Sequence, residues 1–86
     1  MARSLSVRDM NCFRDYLIRE EKSPATVEKY LRDASAFRAF AAGRTVTKEL
    51  TIAYKRTLQE RGYALRSINS MLASVNSLLG FLGRVD

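Results

Sequence analysis

Along four stretches of this chain, apolar residues recur every three or four positions and polar residues fill the gaps. That spacing puts the apolar side chains on one face of a helix. In the first stretch Val7, Met10, Phe13 and Leu17 form the stripe, with Tyr16 alongside and Arg8, Asp9, Arg14, Asp15 and Arg19 on the other side. Ser6 or Ser4 can cap its start, and Glu20-Glu21-Lys22 is a charged break after it. The second stretch opens at Ser23-Pro24. Ser23 can accept a hydrogen bond from a first-turn N–H, and Pro24 fits the first helical position, where its missing N–H costs nothing. Val27, Tyr30, Leu31, Ala34, Phe37 and Ala41 form its apolar face, and Gly43 is a natural left-handed stop. Thr47 starts the third helix, with Leu50, Tyr54 and Leu58 four apart and Ala53 beside them, and Gly62 ends it. In the fourth, Leu65, Ile68, Leu72, Val75, Leu79 and Leu82 alternate spacings of three and four without a miss.

Helices are thus predicted at about 7–21, 24–42, 47–61 and 65–83, the last central to the core with Leu72 buried in it. Alternation of period two never persists, so no strand is predicted. The expected fold class is all-α, a compact four-helix bundle. Residues 1–86 form one domain, too short for a second core.

The polar faces carry more information than solubility requires. On the second helix Thr26, Lys29 and Arg32 fall outside the apolar face, near Lys22 and the helix start. Exposed N–H groups, a hydroxyl and cations gathered there suit a phosphate, and an ordinary capped surface helix suits the same residues. On the fourth helix Arg66, Ser67, Asn69, Ser70, Ser74, Asn76 and Ser77 are nearly all short and polar. Ser and Asn are poorer helix formers than Glu, Lys or Gln, so their choice suits a helix pressed against something polar. DNA qualifies, because Ser and Asn contact phosphates and Asn can pair with adenine. Helix–helix packing is the other reading of that face. Lys55 and Arg56 on the third helix read as a solvated side.

Charge favours the nucleic-acid reading. Lys plus Arg number 15 against 9 acids, a net +6, and such a surplus on a short chain points to a polyanion, nucleic acid first and an acidic membrane surface second. With no His and one Cys, Cys/His zinc sites and an internal disulfide are excluded. Cys12 is placed in the apolar turn of the first helix, with no basic neighbour to activate it. No convergent group for acid–base chemistry and no phosphate loop is present, so no catalytic residue, metal or cofactor is expected. Neither a signal peptide nor a membrane-length apolar run is visible, and a soluble, cytoplasmic protein without membrane contact is expected.

The order Phe13-Arg14-Asp15-Tyr16-Leu17, then Lys22-Ser23-Pro24-Ala25-Thr26-Val27-Glu28-Lys29-Tyr30-Leu31-Arg32-Asp33 leading to Phe37 and Phe40, resembles a known domain. Thr47, Tyr54 and Leu58, the run Gly62-Tyr63-Ala64-Leu65-Arg66-Ser67-Ile68-Asn69, and Leu72 to Leu82 continue the likeness. The chain resembles the N-terminal core-binding domain of tyrosine recombinases, the phage-integrase family, from about Leu5 to Arg84. The Ser-x-x-Thr-x-x-x-Tyr pattern with a downstream Phe is fairly diagnostic in that context.

The resemblance implies a SAM-like bundle forming half of a C-shaped clamp on double-stranded DNA at the core recombination site. Its second and fourth helices lie against the major groove and backbone. Lys22, Ser23, Ala25, Thr26, Lys29 and Arg32 are then expected to face DNA from the second helix. Arg66, Ser67, Asn69 and Ser70 do so from the fourth. Ala64 departs from the family, which often has a Ser or Thr cap there. The family's chemistry lies in a separate C-terminal domain with a tyrosine nucleophile and Arg, Lys and His partners. The chain is therefore expected to be a monomeric, non-catalytic fragment that positions its own catalytic domain, which is missing here. The rival readings are a helix-turn-helix regulator, which needs a tight turn before a short recognition helix, and a helical protein-interaction module without DNA affinity.

Overall fold

The computed structural model describes residues 4–85, with side chains through residue 83; Met1–Arg3 and Asp86, the ends of the expected domain span, lie outside it. The elements are α1 (Val7–Arg19), α2 (Pro24–Ala41), α3 (Lys48–Glu60) and α4 (Leu65–Val85), with no strand among the described residues.

Three of the helix starts are set by the expected side chains. Ser6 Oγ accepts from the Asp9 N–H at 3.1 Å while Asp9 Oδ2 accepts from the Ser6 N–H at 2.9 Å, a reciprocal capping box. Asp9 is consequently buried, not on the polar side of α1 where its position opposite the stripe put it. Ser23 caps α2 through the Thr26 N–H at 3.2 Å with Pro24 as the first helical residue, and Thr47 caps α3 through the Leu50 N–H at 3.1 Å.

The helix ends close by backbone bonds. At the end of α1, the Lys22 N–H donates to the Leu17 carbonyl at 3.2 Å and the Glu21 N–H to the Ile18 carbonyl at 3.0 Å. This paired closure stops α1 two residues before the predicted end and puts Glu21 at φ 59. The same closure ends α3, where the Tyr63 N–H meets the Leu58 carbonyl at 3.3 Å and Gly62 takes φ 85. At the end of α2 the left-handed step begins at Ala42, φ 50, one residue before the expected Gly43.

The core gathers Phe13 and Leu17 from α1, Ala34 and Phe37 from α2, Tyr54 and Leu58 from α3, and Ile68, Val75, Leu78 and Leu82 from α4. Phe37 meets Tyr54 edge-on at 5.1 Å, and Phe81 stacks on Tyr16 at 4.7 Å and lies 5.8 Å from Phe13.

Several expectations about faces are corrected. On α1, Val7 is exposed despite its place in the stripe, and Cys12 is exposed, not within an apolar turn. On α4, Leu65 is 65 % exposed, and Leu72 and Leu79 are only partly buried. The buried face carries Ile68, Ser74, Val75, Leu78, Phe81 and Leu82, turned by roughly 70–80° from the predicted stripe at 100° per residue. The cause lies in the neighbours. Aromatic rings of α1 draw in Phe81, and a polar group on α2 draws in Ser74, which is fully buried and not on an outward polar face.

Candidate nucleic-acid interface

The candidate interface is built on α2 and α4, the helices that pack together most extensively. Lys29, Arg32 and Ala36 on α2 recur at spacings of three and four, so they share one face. Arg66, Ser67, Ser70 and Met71 begin α4 opposite them. Together with Asp33 and with Tyr63 of the α3–α4 turn, these residues line an open groove of about 550 Å³. Three cations face one carboxylate in this groove, so it is net positive.

Of the ten residues expected at DNA, the structure brings five into this groove: Lys29, Arg32, Arg66, Ser67 and Ser70. Lys22 lines a different groove, between α1 and α2, with Arg14, Ile18, Pro24, Val27, Glu28 and Leu31. Ser23 and Ala25 are exposed at the start of α2, and Ser23 Oγ donates to Thr26 Oγ1 at 2.9 Å, so these two hydroxyls serve the cap. Asn69 is exposed on α4 but does not line the groove. Ser70 is half-buried.

The cations of the groove differ in state. Arg32 and Arg66 are exposed, and neither guanidinium makes a hydrogen bond or ion pair among the described residues. Lys29 Nζ is engaged: it donates to Asp33 Oδ2 at 2.7 Å, to Ser74 Oγ at 3.1 Å and to the Ser70 carbonyl at 3.3 Å. Ser74 Oγ in turn donates to Asp33 Oδ2 at 2.8 Å. The side chain of Asp33 is 9 % exposed and that of Lys29 is 36 % exposed, so the network lies at the groove floor. Its charge is felt inside the bundle: burial, then the Asp33 carboxylate, push the Tyr54 phenol above its ordinary pKa.

Ala64 stands just before α4, and its carbonyl accepts the first helical bond, from the Ile68 N–H at 3.0 Å. A methyl side chain cannot cap, and no other described side chain accepts from the first-turn N–H groups of α4. These amides add the positive end of the helix dipole to the mouth of the groove.

Two groove residues escape a reading of the sequence for charge and amides. Tyr63 is 46 % exposed at the groove wall, aimed by the positive φ of Gly62; an aromatic next to a helix-stopping glycine is the available signal. Asp33 is the other, and its spacing of four from Lys29 marks the pair.

Among the described residues no group of three His, Cys, Asp or Glu could hold a metal ion, and no helix is long and apolar enough to cross a membrane. The α1–α2 and α3–α4 connections are four residues each, but the helices after them have 18 and 21 residues, too long for the short recognition helix of a helix-turn-helix.

Comparison with protein families gives one finding. The family described as phage integrase, N-terminal SAM-like domain, matches residues 10–85. Comparisons with curated proteins and with solved structures returned no match.

Proposed function

The chain belongs to the family of phage-integrase N-terminal SAM-like domains, and from that premise we propose that it grips duplex DNA at the core site of a tyrosine recombinase. In this reading the α2–α4 face lies on the phosphate backbone, and a separate catalytic domain cuts and rejoins the strands. The observation that carries it is the groove in which Arg32 and Arg66, exposed and unpaired among the described residues, stand on facing helices beside Ser67, Ser70 and uncapped amides. Guanidinium, hydroxyl and backbone N–H are the groups that hold phosphate oxygens.

Lys22, Ser23, Ala25 and Thr26 extend the contact along the start of α2, and Asn69, exposed on α4, is the candidate to read a base edge. The nucleophile and its Arg, Lys and His partners belong to the other domain. This chain supplies affinity and placement.

Titration of a fluorescein-labelled duplex by anisotropy, at stepped salt concentrations, tests the reading. A mixed-sequence duplex is expected to bind with a dissociation constant of roughly 10⁻⁴–10⁻⁶ M in physiological salt. Three phosphates neutralised by Lys22, Arg32 and Arg66 give a slope of log K against log salt of about −2.7. Binding that is absent at low salt, or that ignores salt, sinks the proposal.

A further inference from the structure

Lys29 is the cation that family likeness and sequence alike assign to DNA, yet its ammonium is already spoken for. A lysine has three N–H donors. Here they meet Asp33 Oδ2, Ser74 Oγ and the Ser70 carbonyl at 2.7, 3.1 and 3.3 Å. Two of these acceptors lie on α4, 41 and 45 positions further along the chain, so the contact ties one helix to the other.

We infer that Lys29 is a positioning residue that seats α4 on α2, and that the phosphates are met by Arg32 and Arg66 beside it; the inference rests on the DNA-binding reading above. Swinging Lys29 out to a phosphate strands the Asp33 carboxylate, whose side chain is 9 % exposed, with a single hydroxyl donor. An unmatched buried charge costs more than an exposed lysine–phosphate pair returns. The network also lies between the two guanidinium carriers, Arg32 one residue before Asp33 and Arg66 one turn before Ser70. The crossing of α2 and α4 fixed by Lys29 therefore sets how far apart Arg32 and Arg66 stand, which must match the spacing of phosphates on the duplex. Lys29 acts on DNA through geometry, without releasing a counterion of its own.

The test uses Lys29→Met, Ser74→Ala, their combination, Arg32→Ala and Arg66→Ala, titrated with the labelled mixed-sequence duplex well below the melting transition. Lys29→Met is expected to weaken binding about three- to tenfold at every salt concentration, with the salt slope unchanged. Ser74→Ala, which alters no charge, does the same more weakly. The two substitutions together lower the melting temperature by less than the sum of their separate effects. Arg32→Ala and Arg66→Ala each flatten the slope by about 0.9.

A slope flattened by Lys29→Met as much as by Arg66→Ala makes Lys29 a phosphate ligand and overturns the inference. Strictly additive melting losses overturn it too, because the helices are then not coupled through this contact. If the arginine variants leave binding untouched, the α2–α4 face itself is wrong, and that outcome differs from both.

Discussion

Glu21 holds φ 59, a left-handed backbone conformation in which an L side chain crowds its own carbonyl. The paired closure at the end of α1 requires that conformation, and glycine is the residue that adopts it without penalty. Glu21→Gly is therefore expected to stabilise the fold by about 0.5–1 kcal/mol, the relief of strain exceeding the added freedom of the unfolded chain. Urea denaturation checks it, and a loss of stability contradicts the closure. Tyr54 gives a pH-dependent counterpart. Burial and the Asp33 carboxylate raise its pKa above 10.0, so the fold favours the neutral phenol. Its contribution is then fully present below the unfolded value of about 10 and is lost as pH rises through the higher folded value. The stability advantage of the protein over Tyr54→Phe is expected to be constant up to pH about 10 and to shrink above it. An advantage that grows with alkaline pH contradicts the buried, neutral phenol.

At the scale of the element, α4 shows what periodicity conveys and what it leaves open. Ile68, Val75 and Leu82 belong to the predicted stripe and to the observed one, so the helix and one edge of its core face are legible in the sequence. The phase is not, because a row of leucines at spacings of three and four also admits the adjacent row through Met71 and Leu78. What selects between them is tertiary: Phe81 against Phe13 and Tyr16, and Ser74 against Asp33, a partner 41 residues away that hydropathy cannot register. Short-range signals fared better. Ser6, Ser23 and Thr47 each cap as their residue types predict, because a cap involves only its own first turn. The phase has a direct check. Leu78→Ala, at a site with 0 % exposure, is expected to cost about 2–5 kcal/mol, whereas Leu65→Ala at 65 % exposure stays within about 0.5 kcal/mol. Equal losses in chemical denaturation contradict the observed rotation of α4.

For the whole molecule, the net charge of +6 favours a polyanionic partner without saying where it would land. In the proposed reading, placement comes from the packing of α2 on α4. Arg32, Arg66, Ser67 and Ser70 were legible as site candidates from residue type and from family likeness, and folding gathers them around one groove. The contacts of Lys29 with α4 were not legible, since its acceptors there are set by the helix crossing. A built face and diffuse charge predict different outcomes, and paired variants separate the two. The measurement is the slope of log K against log salt for the Arg32→Ala/Arg66→Ala double variant and for Lys55→Ala/Arg56→Ala on α3, whose two cations are exposed away from the groove. Both double variants lose two positive charges. The groove pair is expected to reduce the slope from about −2.7 to about −0.9, and the α3 pair to leave it near −2.7. Equal flattening by the two pairs contradicts the α2–α4 face and reduces the binding to net charge alone.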